Sequence, residues 1–256
     1  MQLGLIGLGK MGGNMAERLH LGGHQVVGFD FNPEAVSRLT ASGNVGASSL
    51  EEMAKRLTGR KAVWIMVPQG KPVDETIAKL EPLLNKGDIL IDGGNSNYKD
   101  SQRHYKEVTA KGFQFVDVGT SGGVWGLKEG YSMMVGGPDE AVNYLRPIFE
   151  TLAPAKDQGW GHVGPAGAGH YQRRRKHRHG TRIEVHRAVG EGDVPVVVLP
   201  RAGCASTNSR HPVWENPRAP VPLAIRYACS GGVGNHHRLI REIGQLQGRD
   251  QRDIPL

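Results

Sequence analysis

The stretch LGLIGLGKMGGNMAERL, Leu3–Leu19, joins two periodicities across a run of glycines. Leu3 to Leu8 form a continuous apolar run of the kind that makes a strand buried on both faces. From Met11 the spacing changes. Met11, Met15 and Leu19 recur every four residues, as on one face of a helix, and Gly22-Gly23 supplies a stop. Between the two, Gly7-Leu8-Gly9-Lys10-Met11-Gly12 reads G-x-G-x-x-G, a weak signal alone in a chain with 37 glycines. The strand before it and the helix after it add weight, as does Asp30, which ends the next apolar run 18 residues after Gly12. In that setting Gly7 permits the tight turn and Gly9 lets the backbone approach a pyrophosphate. Gly12 lets the helix close on the strand, whose neighbouring helix N-terminus offers N–H groups to phosphates. A carboxylate at Asp30 accepts from a ribose 2′-hydroxyl and repels a 2′-phosphate. The following Phe31, Asn32 and Pro33 supply no arginine, so NAD is expected over NADP.

The same change of period repeats along the chain. HQVVGFDF reads as a strand, and NPEAVSRLTASG as a helix with Asn32 at its N-cap and Pro33 at its first position. Ser49 and Glu52 open SLEEMAKRL in capping-box spacing. The strands AVWIMVP, DILID and FQFVDV alternate with the helices VDETIAKLEPLL and NYKDSQRHYKEVTAKG; YSMMVGG and the helix DEAVNYLRPIFETLAP follow. Strands separated by helices need crossover connections, which build a parallel sheet covered on both faces. The expected class is α/β, a Rossmann-type doubly wound parallel sheet forming a dinucleotide-binding domain over residues 1–165. A basic tail with no recognisable fold follows at 166–256.

The net charge of +7 conceals a partition. The first 171 residues carry −1 and the last 85 carry +8, and the Lys:Arg ratio inverts from 11:6 to 1:14. Both cysteines and six of the eleven histidines lie in the shorter part. There VPVVVLP reads as a strand and HHRLIREIGQLQG as a short amphipathic helix, amid Pro-, Arg-, Ser- and Gly-rich text that predicts disorder or loose association. The cluster QRRRKHRHG, Gln172–Gly180, invites a phosphate-binding reading. No aromatic interleaves it and no nucleic-acid-binding motif accompanies it, so no nucleic acid is expected as a partner. Cys204 and Cys229 show no metal-ligand spacing, so no metal is expected, and their scarcity fits a reducing cytoplasm. No run of about eighteen apolar residues predicts a membrane span, and the N-terminus lacks the marks of a signal peptide.

Two further motifs, DGGNSNYKDS (Asp92–Ser101) and VDVGTSGGVWGLKEGYSMMVGG (Val116–Gly137), complete a pattern with GLIGLGKMGGNMAERL and with GPAGAGH at Gly164–His170. Over residues 1 to about 171 the chain resembles the decarboxylating 6-phosphogluconate dehydrogenases, and among them the short NAD-preferring branch. The related 3-hydroxyisobutyrate-type β-hydroxyacid dehydrogenases share the first glycines and an SGG, but are not expected to carry the GGNS stretch or GTSGGVWG. The resemblance implies oxidative decarboxylation of 6-phosphogluconate to ribulose 5-phosphate with NAD(P) reduction, in gluconate metabolism and the pentose phosphate pathway. It places Gly7, Leu8, Gly9, Lys10, Met11 and Gly12 on the cofactor pyrophosphate, and Asp30, Phe31 and Asn32 at the adenosine ribose. Val67, Pro68 and Gln69 fall beside the cofactor. Asn95 touches both cofactor and substrate, and Ser121, Gly122 and Gly123 bind the sugar acid.

The pattern then breaks. The family's base is a lysine two residues after the aromatic of a G-H-aromatic motif. Here Gly169-His170-Tyr171 is followed by Arg173 at that position. The family's His-Asn and Glu-Tyr positions hold Lys176, His177, Gly180 and Thr181. Arginine stays protonated and cannot serve as a base, so no catalytic residue is assigned. The family's large helical C-terminal domain, which builds its dimer interface and completes its pocket, has no counterpart in the tail. The expectations are a reading-frame shift or truncation near Tyr171 and a chain that keeps its cofactor domain with little or no turnover, in the limit a non-catalytic NAD-binding remnant.

Overall fold

The computed structural model describes residues 1–156 and 158–179, together with 184–186, 196–200 and 225–228. The chain opens with β1 (Gln2–Ile6), α1 (Lys10–Leu21), β2 (Gln25–Phe29), α2 (Pro33–Ala41), β3 (Val45–Gly46) and α3 (Leu50–Arg56). It continues through β4 (Ala62–Ile65), α4 (Lys71–Leu80), β5 (Ile89–Asp92), α5 (Tyr98–Ala110) and β6 (Gln114–Ser121). Then come α6 (Gly126–Glu129), β7 (Ser132–Gly136), α7 (Asp139–Leu152), β8 (Trp160–Gly164) and α8 (Ala168–His179). The eight strands form one sheet in the order β3-β2-β1-β4-β5-β6-β7-β8. From β3 to β6 every neighbouring pair is parallel, as the alternating periodicity predicts. The order reverses between β1 and β4, the switch point at which such sheets bind ligands.

β7 departs from the all-parallel expectation. It runs antiparallel to β6, and β8 is parallel to β7. The connection from Ser121 to Ser132 holds only a 3₁₀ turn at Gly123–Trp125 and the single-turn α6, too little chain to carry a strand back for a parallel crossover.

The sheet is dry on both faces. Leu3, Leu5, Trp64, Ile89 and Ile91 pack with Met15 and Leu19 of α1 and Leu145, Ile148 and Phe149 of α7. Ile6, Val63, Ile65, Leu90 and Phe115 pack with Met53 of α3, Ile77 of α4 and Val108 of α5. This is the two-sided burial that continuous apolar strands require.

The helix starts follow their caps. Asn32 Oδ1 accepts from the Glu34 N–H at 3.0 Å and Ser49 Oγ from the Glu52 N–H at 3.1 Å. The capping box at α3 is displaced by one residue: Glu52 reaches the N–H and hydroxyl of Ser48, not the N–H of Ser49. Arg18, in the last turn of α1, donates to the carbonyls of Thr151, Leu152 and Ala153 at the end of α7 and to Leu127 of α6. A guanidinium is thereby set against carbonyls that a helix C-terminus leaves unpaired.

In the later segments β9 (Glu184–His186), β10 (Val196–Pro200) and β11 (Ile225–Ala228) form a small sheet, in which β10 is antiparallel to β9 and parallel to β11. The strand expected in VPVVVLP is present; the helix expected in HHRLIREIGQLQG lies outside the described residues. Among the described residues no helix is long and apolar enough to cross a membrane.

Candidate cofactor and acid site

The residues singled out from the sequence gather along one edge of the sheet, at the C-terminal ends of β1, β2, β4, β5 and β6. The first glycines divide their work by space. Gly7 has φ +92°, a conformation that favours glycine, and its N–H donates to the Phe29 carbonyl at 2.9 Å, tying the turn to β2. At Gly12 an added Cβ would fall on the Gly7 carbonyl, so only glycine lets α1 start so close to β1. At Gly9 an added Cβ would meet nothing within 4 Å. Gly9 is also the N-cap of α1 and caps it with no side chain. Free N–H groups at a helix N-terminus, reached through open space, fit a pyrophosphate. A cleft of about 370 Å³ adjoins the same turn, between α1 and α2, with Gly9, Lys10, Arg38 and Ser42 on its walls. Leu8 is buried, Met11 half-buried, and Lys10 exposed.

Asp30 is held by the turn it serves. The Leu8 N–H donates to its Oδ2 at 2.6 Å and the Asn32 N–H to its Oδ1 at 2.8 Å. Each carboxylate oxygen keeps further acceptor capacity for a hydroxyl. Phe31 is 79% exposed, edge-on to Phe29 at 5.4 Å, with Lys79 Nζ 5.9 Å from its ring centre. An uncovered aromatic beside the Asp30 carboxylate has a flat apolar face of the kind that can stack on a planar ring. Across the switch point, the half-buried Val67 and the exposed Pro68 and Gln69 continue from β4 into α4. The Gly93 N–H donates to the Ile65 carbonyl at 3.0 Å, which brings the loop carrying Asn95 beside them.

The turn that carries Ser121, Gly122 and Gly123 is built around Tyr131. Its ring is buried under Gly122 and Gly126, where an added Cβ would strike it. Burial pushes the Tyr131 hydroxyl up to about 12. Ser121 and Gly122 are half-buried and Gly123 is exposed, with open space where its Cβ would stand.

Sequence reasoning missed the arrangement that places α8. Asp117, in the middle of β6, is fully buried; its Oδ1 accepts from the Gly167 N–H at 2.6 Å and its Oδ2 from the His170 N–H at 2.8 Å. A buried carboxylate therefore caps the first turn of α8, although burial pushes its pKa up. His170 Nδ1 hydrogen-bonds Ser101 Oγ of α5 at 2.7 Å. Gly119 and Gly169 allow close contact, since an added Cβ at Gly119 would sit 2.6 Å from the Gly169 carbonyl. The only sequence signal was an acidic residue inside an apolar strand, FQFVDV.

Held in this way, α8 delivers Arg173 to the site. Its Nε donates to the Thr120 carbonyl at 2.9 Å and its Nη1 to Asn95 Oδ1. The guanidinium thus spans the ends of β5 and β6, next to the Ser121 turn. Burial lowers its pKa, yet arginine remains charged.

Residues 2–161 match the family described as the NAD binding domain of 6-phosphogluconate dehydrogenase. The chain is 41% identical over 192 residues to the NAD(+)-dependent, decarboxylating 6-phosphogluconate dehydrogenase of Haloferax volcanii, covering 75% of this chain and 62% of that protein. That aligned stretch runs past Tyr171, beyond the four motifs quoted above. It is 37% identical over 205 residues to the decarboxylating 6-phosphogluconate dehydrogenase of Haemophilus influenzae, covering 76% of this chain and 40% of that protein. The chain therefore spans less than two thirds of either relative's length. Among solved structures, 6-phosphogluconate dehydrogenase of Plasmodium falciparum, described with its cofactor NADP+ and with 6-phosphogluconate, superposes with a TM-score of 0.61. The identity there is 28% over 67% of this chain and 38% of that one. A 3-hydroxyisobutyrate dehydrogenase of Mycobacterium tuberculosis gives the same TM-score of 0.61 and the same 28% identity, over 67% of this chain and 57% of that one.

Proposed function

The chain belongs to the 6-phosphogluconate dehydrogenase family through its NAD-binding domain, and from that premise we propose that it binds NAD in preference to NADP but does not turn over 6-phosphogluconate at ordinary enzyme rates. The nicotinamide cofactor supplies hydride-accepting chemistry when bound. The chain's own residues hold it: the Gly7–Gly12 turn takes the pyrophosphate, Asp30 the ribose hydroxyls, Phe31 the adenine face, and Val67 to Gln69 with Asn95 the reacting end. Support for NAD over NADP comes from the carboxylate held at Asp30, which repels a 2′-phosphate.

The observation that carries the absence of turnover is Arg173. It stands between Asn95 and Thr120, where the resemblance calls for a lysine base, and a permanent cation cannot take a hydroxyl proton. A missing general base removes about 10²–10⁴-fold in rate. We read the change of composition in the later part of the chain as a shift in reading frame; the aligned stretch that continues past Tyr171 counts against a break at that residue, and sequencing the locus in all frames would test the reading. The decisive assay is NADH formation from NAD and 6-phosphogluconate, run beside a direct measurement of NAD binding. The expected outcome is NAD binding with a turnover below about 0.1 s⁻¹, against a typical enzyme value of about 10 s⁻¹. Turnover at the ordinary rate would overturn this reading, and so would failure to bind NAD.

A further inference from the structure

We propose that the side of α8 turned away from the sheet is a docking surface for single-stranded nucleic acid, with Tyr171 as the platform for a base and Arg174, Arg175 and Arg178 at the positions that take phosphates. The inference concerns the chain as it stands and is independent of the function proposed above.

The rotation of α8 is fixed. Asp117 accepts from the Gly167 and His170 N–H groups, His170 bonds Ser101, and Arg173 bonds Thr120 and Asn95. His170 and Arg173 therefore face the sheet, and the opposite side of the helix is turned out. Tyr171 and Arg174 stand on that side: Tyr171 is 42% exposed, and Arg174 is exposed. Among the described residues no carboxylate pairs with Arg174, and α8 itself contains no acid.

The helix aligns what the sequence separates. Within Gln172–Gly180 no aromatic interleaves the cations, and the sequence alone therefore predicts no nucleic-acid partner. On a helix, positions 174, 175 and 178 follow Tyr171 by three, four and seven residues and share one stripe with it. An aromatic is thereby brought into line with three arginines. The stripe spans about 10 Å at 1.5 Å per residue, the length of about three phosphates at the 3.4 Å spacing of a strand.

Tyr171 is held in place, its ring centre 5.2 Å from that of Tyr98 at an interplanar angle of 76°. A ring already fixed loses little freedom when a base stacks on it. Stacking on an aromatic and neutralisation of phosphates by cations are the two parts of a sequence-tolerant single-strand site. Like charges one helical turn apart destabilise a helix, and a bound polyanion lifts that cost. Bases paired in a duplex cannot stack on Tyr171, which sets single strands above duplexes. No bond is made or broken.

The test is fluorescence anisotropy of the full chain, without NAD, with a labelled short oligothymidylate, its duplex with oligoadenylate, and inorganic polyphosphate as a competitor that lacks bases. The single strand is expected to bind about fivefold or more tightly than the duplex, the effect of one stacked base. Its log affinity should fall against log salt with a slope of about −2, from three phosphates at about 0.7 each. Tyr171→Ala is expected to weaken the single strand by about 5–100-fold and to leave the salt slope in place. Arg174→Gln, Arg175→Gln and Arg178→Gln together should flatten the slope. If Tyr171→Ala unfolds by circular dichroism, Tyr171→Leu, which keeps apolar volume against Tyr98 but no ring, decides. Affinity unchanged in Tyr171→Leu, a duplex bound as tightly as the single strand, or no binding at low salt would overturn the proposal. Polyphosphate competing as well as unlabelled oligothymidylate at equal charge would overturn it too, by assigning the surface to any polyanion. NAD binding is read separately, so its failure bears on the function proposed above and not on this surface.

Discussion

At the scale of single residues, the glycines of the first turn separate two demands that a motif merges. Gly12 serves packing, because any Cβ there collides with the Gly7 carbonyl. Gly12→Ala should therefore destabilise the chain by about 1–3 kcal/mol or more, as forced overpacking does, with a lower melting temperature even without ligand. Gly9 has φ −58° and free space, so Gly9→Ala should leave the melting temperature unchanged. It should weaken NAD about tenfold or more, because the new methyl occupies the approach to the α1 N-terminus; tenfold corresponds to about 1.4 kcal/mol. Equal thermal effects of the two substitutions would contradict this division. The positions of these residues were legible in the sequence, because a turn between a strand and a helix is specified by neighbours within six residues. The division of labour was not, because it depends on where Gly7 and Gly12 fall relative to each other in space. Asp30 shows the same limit. Its spacing from Gly12 marked it, but its hold on the Leu8 N–H appears only once β2 lies beside β1.

At the scale of elements, the decisive one is α8, whose sequence reads as a cluster of cations and whose position is set by residues far away in the chain. Asp117, Ser101 and His170 come from β6, α5 and α8, and no local pattern links them. Asp117→Ala would strip two N–H groups at the α8 N-terminus of their acceptor in a buried setting. The expected loss is about 2–4 kcal/mol. A normal melting temperature in Asp117→Ala would show that α8 does not depend on this cap. The reversed β7 is another feature of this kind: YSMMVGG declares a strand, while its direction follows from the short link to β6. The pairing of α4 with α5 is sensitive to acid. Hydrogen bonds from Arg103, and then from His104, hold the Asp74 carboxyl below its ordinary value of 3.8. A depressed acid contributes stability above its unfolded pKa and loses it as the pH falls through the folded one. The melting temperatures of the unaltered chain and Asp74→Asn should therefore differ at neutral pH and converge as the pH falls below 3.8. A gap that persists under acid conditions would assign it to something other than ionisation. Asp74 is partly exposed, so the gap is expected to be modest.

At the scale of the whole molecule, one edge of one sheet gathers every residue implicated in cofactor binding, so ligand binding and global stability are linked. NAD would contact the ends of β1, β2, β4 and β5 together, and the strands behind them belong to two continuous apolar cores. A ligand that binds only the folded state at 100 times its dissociation constant adds about 2.7 kcal/mol. For a folded unit of this size that raises the melting temperature by about 5–10 °C. NADP at the same concentration should raise it less, because its 2′-phosphate faces the Asp30 carboxylate, which the Leu8 and Asn32 N–H groups already hold in place. The comparison should shift with Asp30→Asn, which removes the repelling charge but keeps an acceptor: the NAD increment falls and the NADP increment gains on it. An NADP increment equal to that of NAD in the unaltered chain would remove the basis for NAD preference. No increment with either cofactor would mean that the turn, although correctly shaped, does not bind a dinucleotide.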